Sequence, residues 1–316
     1  MTTENEVRRM LDGGPGLWLA SGTPDLHAED GVVLETSGST GVPKRIRLTR
    51  GQLRAAAEAN SAHFGWVGTW HLALPTHYVA GMMVLVRGVL GNGVRAAGSD
   101  LSSVELAPGR NAISIVPTQL IRALRDGSTL SRFDAVLVGG APLSAEVRAE
   151  AESAGINVVE TYGMSETCGG IVYDGVPLPG VGVELIDERV KLRGPMVTDG
   201  VILTNDRGEW RDGRLRILGR IDDIVITGGL KADLARVREA AQALDGESWV
   251  LAVDDPEWGQ RIVLFAPSGT LEGWRERLAD ALPRHALPRQ FVEVGSLPRT
   301  PGGKPDRERL LSLLET

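Results

Sequence analysis

The chain has 316 residues, 42% of them hydrophobic and 24% charged, as in ordinary globular proteins with room for more than one core. Its formal net charge of −7 argues against a general nucleic-acid or membrane-surface partner, while leaving room for a local basic site. A lone cysteine, Cys168, excludes an internal disulfide framework and fits a reducing, cytoplasmic compartment.

Arg8 and Arg9 open the chain, but Asp12 and several glycines break the apolar stretch behind them, so no signal peptide is expected. Residues 31–35 read as a strand that leads into ETSGSTGVPK at 35–44. Thr49-Arg50-Gly51-Gln52 has the spacing of a capping box and predicts a helix to about Ala62. The longest apolar run, 79–86, stops at Arg87 and is far too short to span a bilayer. Residues 112–116 predict a strand, followed by a helix from Thr118 that Gly127 ends. A strand at 135–138 runs into Gly139-Gly140-Ala141-Pro142, and Ser144 caps a helix ending near Gly155. A strand at 157–160 then enters TYGMSETCGG. From about Val183 the pattern shortens to strands and turns. Beyond Asp222 come a helix at 232–244, strands at 249–253 and 261–265, a helix at 271–282, a strand at 290–294 and a short terminal helix. The alternation predicts an α/β protein. Residues 1–220 are expected to form a large domain of sheets flanked by helices, and 221–316 a small, mobile α+β domain.

Three glycine-bearing loops, 36–44, 139–142 and 162–170, follow predicted strands, where α/β sheets bind ligands. The first combines backbone N–H groups freed by Gly38 and Gly41 with the hydroxyls of Thr36, Ser37, Ser39 and Thr40 and the ammonium of Lys44, a set suited to an anion. The usual phosphate-loop spacing fails, because Pro43 precedes the lysine and Arg45 follows it. A plain surface loop is the alternative. Only four of the 34 basic residues are lysines (Lys44, Lys191, Lys231 and Lys304), so each poses the question of whether an ammonium is required there.

Taken in order, TSGSTGVPK, LPTHYVAGM, GGAPL, TYGMSET, LTND, GRLRILGRIDDIVITGG and LPRTPGGKPDR resemble the adenylate-forming superfamily of acyl-CoA synthetases, luciferases and peptide-synthetase adenylation domains, over residues 31 to 309. The resemblance implies an enzyme that binds ATP with Mg²⁺ and makes an acyl-adenylate. In its terms Thr36, Ser37, Gly38, Ser39, Thr40, Gly41 and Lys44 wrap the β- and γ-phosphates. Gly140, Ala141 and Pro142 line the adenine site, and Tyr162, beside Gly163, packs on the base. Ser165 replaces the usual threonine near the α-phosphate, and Glu166 is the Mg²⁺ ligand. Asp206 holds the ribose hydroxyls, with Asn205 where the family has glycine, and Arg220 reaches ribose and phosphate. Asp222 is the hinge. Lys304 meets the substrate carboxylate and α-phosphate during adenylation, and His77 lies near that carboxylate; a packed histidine is the alternative for His77. Gly228 and Gly229 line the tunnel for the pantetheine arm of coenzyme A.

The phosphate loop begins only about 36 residues into the chain, and this compact form is similar to the short o-succinylbenzoate–CoA ligases of menaquinone biosynthesis in actinobacteria. The implied partners are an aromatic carboxylate, ATP and coenzyme A. Arg87, Arg95, Arg122 and Arg125 are open candidates for the acid's second carboxylate. The short N-terminal region implies either a cleanly trimmed fold or a homo-oligomer that covers the gap. Two alternatives stay open: another aryl- or acyl-acid CoA ligase or carrier-protein-loading adenylation enzyme, and a non-catalytic nucleotide-binding protein.

Overall fold

The computed structural model describes residues 2–36, 44–101, 104–127, 129–299 and 305–314. The chain divides into two compact units. Residues 1–186, 191–204 and 210–216 form the first, and 187–190, 205–209 and 217–316 form the second.

In the first unit, helix α1 (Glu4–Leu11) is opened by a reciprocal capping box between Thr3 and Glu6. Strand β1 (Leu17–Leu19) pairs in parallel with β2 (Asp30–Thr36), which pairs antiparallel with β3 (Lys44–Thr49). Helix α2 (Arg50–Phe64) starts where the sequence predicts: the Gln52 N–H donates to Thr49 Oγ1 at 3.2 Å, and the Thr49 N–H donates to Gln52 Oε1 at 2.8 Å.

A larger sheet follows, made of β4 (Thr69–Leu72), β5 (Val94–Ala96), β6 (Asn111–Ile115), β7 (Ala135–Val138), β8 (Val158–Met164), β9 (Gly169–Tyr173) and β10 (Val176–Pro177). Their order is β10-β9-β8-β7-β6-β4-β5, parallel from β5 to β8 and antiparallel beyond. Strands β6 and β7 are buried along their whole length, which is why NAISI and AVLV read as unbroken runs rather than alternating ones. Helices α3 (Val79–Leu90), α4 (Pro117–Asp126) and α5 (Ala145–Ser153) connect these strands. Gly127, at φ 67°, ends α4, and the Ser144 hydroxyl caps α5 by accepting from the Val147 N–H. Ile113, Ile115, Val136, Val138 and Val158 pack with Leu120, Phe133 and Ala151 in this core.

Residues 182–220 form a separate sheet, β11 (Gly182–Ile186), β12 (Arg189–Arg193), β13 (Val201–Arg211) and β14 (Arg214–Arg220), in that order.

The second unit holds β15 (Ile224–Thr227), β16 (Leu230–Asp233), β17 (Trp249–Asp255), β18 (Gly259–Ala266) and β19 (Gln290–Glu293). The order is β16-β15-β18-β17, with β19 also on β18. Alternate residues of β17 and β18 face opposite ways. Val250, Ile262 and Leu264 pack with Val237 and Ala241 of α6 (Leu234–Leu244) and Trp274 and Leu278 of α7 (Leu271–Leu278). Leu251, Val263 and Phe265 pack instead with Leu297 and with Leu310 of α8 (Arg307–Ser312). Among the described residues, no helix is long and apolar enough to cross a membrane.

Two segments depart from the sequence reading. Residues 162–170 are expected as a loop, yet β8 continues through Met164, β9 begins at Gly169, and only the tight turn Ser165–Thr167 lies between them. Strands β15 and β16 form a hairpin where no strand is predicted. Thr227 pairs with Leu230, so Gly228 and Gly229, at φ 59° and 77°, form its two-residue turn. Positive φ at both positions is the geometry that favours glycine in such hairpins.

Candidate active site

The register of the large sheet aligns the carboxyl ends of its parallel strands. Leu72 lies opposite Ser114, Ile115 opposite Val138, and Val138 opposite Glu160. The segments after β4, β6 and β7 therefore leave the sheet at one edge, and β8 runs past it. His77 follows β4, Gly140, Ala141 and Pro142 follow β7, and Tyr162, Gly163, Ser165 and Glu166 occupy the overhang of β8 and its turn. This is the edge at which open α/β sheets take their ligands. Gly140 has φ 86°, and with Ala141 and Pro142 it is exposed. His77 is exposed as well, its ring 4.2 Å from that of Tyr78.

Lys44, the first residue of β3, extends to the same overhang. Its Nζ lies 3.0 Å from Glu166 Oε1, although 122 positions separate the two in sequence. The ammonium side is 63% exposed and the carboxylate side 20%. Thr36 lies opposite Lys44 in the β2–β3 register and donates from Oγ1 to the Lys44 carbonyl at 3.3 Å. Ser37, Gly38, Ser39, Thr40 and Gly41, between these two, lie outside the described residues, as does Lys304.

The turn that carries Glu166 is tightly fixed. The buried Thr167 hydroxyl accepts from the Met164 N–H at 2.9 Å, with the carbonyls of Met164 and Gly169 at 3.0 and 2.7 Å as acceptors for its own proton. The Thr198 hydroxyl donates to the Glu166 carbonyl at 3.0 Å. Gly163 has a structural reason of its own: a Cβ there would sit 2.0 Å from the Gly169 carbonyl oxygen across the hairpin. Cys168 takes the left-handed conformation at φ 55°, and burial pushes its thiol up to about 12, against the weaker pull of the Arg87 charge. A thiol so held is inert at neutral pH.

The four candidate arginines separate. Arg87 is buried, donates to the Tyr173 hydroxyl at 3.3 Å and stacks 4.9 Å from the Trp70 ring. Arg95 donates to the carbonyls of Glu105 and Leu106 at 3.4 Å. Arg122 and Arg125 stand exposed on α4.

In the second unit Arg220 donates to Asp206 Oδ1 at 3.2 Å and to Asp222 Oδ2 at 2.8 Å. Burial alone would lower its pKa, but the Asp222 hydrogen bond and the charges of Asp206, Asp222 and Asp223 outweigh burial and raise it. Asn205, where a glycine was expected, is put to use: its amide donates to both oxygens of Asp222 at 3.2 and 3.3 Å, while its Oδ1 accepts from Arg189 at 2.9 Å. Asp222 lies in the short turn Ile221–Asp223, and Asp223 pairs with Arg238 at 2.7 Å. Gly228 and Gly229 form the hairpin tip, between Ile226 and Leu230, which are 55% and 53% exposed.

A family model described as AMP-binding enzyme matches residues 17–208, more than half of the chain. This chain belongs to the AMP-binding enzyme family. It is 37% identical over 320 residues to a Mycobacterium tuberculosis protein named probable 2-succinylbenzoate–CoA ligase, covering 89% of this chain and 83% of that one. It is 31% identical over 306 residues to the 2-succinylbenzoate–CoA ligase of Salmonella typhimurium, covering 87% and 67%. Among solved structures, a variant of E. coli MenE with bound OSB-AMS matches with a TM-score of 0.75 at 25% identity, covering 93% of this chain and 71% of that one.

Within this AMP-binding enzyme, the described residues contain no group of three or more His, Cys, Asp or Glu able to hold a metal. Glu166 alone suits a hard cation that takes its other oxygens from phosphates and water, as Mg²⁺ does. Sequence reasoning assigned no role to Thr167 or Thr198, whose hydroxyls set the turn beneath Glu166. Thr167 stands inside TYGMSET, so its signal was present; Thr198, 32 positions away from Glu166, gives none.

Proposed function

We propose that this AMP-binding enzyme is an o-succinylbenzoate–CoA ligase of menaquinone biosynthesis, acting in the cytoplasm on the acid, Mg·ATP and coenzyme A. The observation that carries the reading is the Lys44–Glu166 pair, in which an ammonium suited to phosphate and a carboxylate suited to Mg²⁺ stand 3.0 Å apart at the carboxyl edge of the sheet. Relatives named for 2-succinylbenzoate supply the identity of the acid.

In this reading the segment from Thr36 to Lys44 holds the β- and γ-phosphates, and Gly140, Ala141, Pro142 and Tyr162, with Gly163 behind it, hold adenine. Ser165 faces the α-phosphate. Asp206 and Arg220 take the ribose, with Arg220 fixed by its two carboxylates. His77 lies beside the carboxylate of the acid. Glu166 would hold the magnesium that comes with the nucleotide, and that ion would neutralise part of the phosphate charge. The acid's carboxylate oxygen attacks the α-phosphorus, the bond to the bridging oxygen breaks, and pyrophosphate leaves with that electron pair. Lys304 stabilises the charge that builds on the α-phosphate oxygens. The exchange between the half-reactions is assigned to a hinge at Asp222. The thiol of coenzyme A passes Gly228 and Gly229, gives up its proton and attacks the acyl carbon, and AMP departs. Little covalent work falls to the protein, so positioning and charge neutralisation do most of the catalysis.

The test is AMP release from ATP with o-succinylbenzoate, benzoate analogues and fatty acids, each with and without coenzyme A. Release that is fastest with o-succinylbenzoate and needs coenzyme A supports the assignment. Faster release with another acid assigns a different CoA ligase, and the absence of pyrophosphate exchange with every acid removes the adenylating role.

A further inference from the structure

We infer that the Lys44–Glu166 ion pair is a selector that admits magnesium-complexed nucleotide and turns away the bare polyphosphate; this rests on the nucleotide reading of the site. The two partners differ in freedom. Glu166 rides on a turn fixed by the Thr167 and Thr198 hydroxyls and is only 20% exposed, whereas the Lys44 side chain is 63% exposed. Lys44 is the partner free to leave. When it turns to a bare polyphosphate, it strands the Glu166 carboxylate beside a second anion, and the two repel. When the phosphates bring their own divalent cation, both members of the pair are satisfied at once: the ammonium turns to phosphate oxygens and the carboxylate to the cation. With its ammonium in solvent the pair is cheap to break, so the selection resides in what becomes of Glu166 afterwards.

The two ends of the pair therefore act in opposite senses on the preference for magnesium. Glu166→Gln removes the stranded charge, so bare ATP binds more tightly than to the parent, while Mg·ATP loses a ligand and the preference collapses. Lys44→Gln leaves the carboxylate unpaired, so bare ATP is repelled more strongly and the preference grows.

Calorimetric titration of the intact chain with ATP, in EDTA and in excess Mg²⁺, reads this directly. Bare ATP is expected to bind Glu166→Gln roughly three- to tenfold more tightly than the parent, the scale of one partly screened charge pair. The ratio of Mg·ATP to bare ATP affinity is expected to rise in Lys44→Gln. Equal binding of bare ATP to the parent and Glu166→Gln, or a ratio that moves the same way in both variants, overturns the selector alone. ATP that binds none of the three proteins, with or without Mg²⁺, overturns the nucleotide reading and the selector with it.

Discussion

Two charged clusters in this enzyme look alike in composition and differ in design. Among the described residues, Lys44 and Glu166 stand one to one, brought from 122 positions apart, with the ammonium largely in solvent. Arg220 is held by two carboxylates from positions 206 and 222, Asp222 is held in turn by Asn205, and neighbouring Asp223 has its own partner in Arg238. An exposed cation with one carboxylate partner can trade it for a ligand at little cost. A planar guanidinium shared between two carboxylates has more to lose on leaving them. The first cluster is suited to exchange and the second to hold geometry.

The largest expected effect tests the role proposed for Lys304 against that of the two clusters. Lys304→Ala should lower pyrophosphate exchange by about 10²–10³-fold, the scale of losing one preorganised donor. Thioester formation from supplied acyl-adenylate should continue at the parent rate. Exchange at the parent level would leave the fixed charges as the sole drivers.

Next comes Lys44→Met, which should lower kcat/KM for Mg·ATP roughly tenfold to a hundredfold through a lost charged hydrogen bond. Its unfolding free energy should change by less than about 1 kcal/mol, because the lysine side chain is largely in solvent. Initial rates set against urea unfolding check both halves, and a large loss of stability would erase the contrast.

Arg238→Met probes the holding cluster from the other side. It removes the partner of Asp223, both side chains being 15% exposed, and the guanidinium stacked 4.9 Å from Trp249. Urea unfolding should report a loss of about 1–2 kcal/mol.

The smallest effect belongs to Glu160, where burial raises the carboxyl pKa above its ordinary 4.5 despite the Leu143 N–H and the Arg148 charge. The folded state therefore holds the proton more tightly than the unfolded one. That contribution is complete below pH 4.5 and disappears as pH rises through the folded value. Glu160→Gln should accordingly stabilise at pH 7 and not at pH 4, by less than about 0.5 kcal/mol given the 43% exposure of the side chain. A gain at pH 4 of equal size would point to a cause other than titration.

Local chemistry in the sequence was enough for the elements whose boundaries are set within a few residues. Thr49 and Gln52 start α2, Gly127 stops α4 and Ser144 starts α5, each by a hydrogen bond or a dihedral that nearby residues determine. The hairpin β8–β9 was misread because glycine serves two ends. Gly163 and Gly169 look like loop punctuation, but Gly163 is there because the two backbones nearly touch, a cross-strand fact invisible along the chain. The Gly-Gly turn at 228–229 carried the reverse signal, a hairpin marker read first for the room it leaves a ligand. For the candidate site, the ordered motifs named Lys44 and Glu166 separately. Their pairing, and the hydroxyls of Thr167 and Thr198 that fix one of them, appear only when distant segments meet.

Cys168 offers a practical consequence. The chain's lone thiol is fully buried, and burial holds its pKa well above that of an exposed cysteine. A fluorophore or spin probe can therefore be attached at one engineered surface cysteine without first deleting the native one. Spectroscopy on this enzyme can begin from the unaltered background.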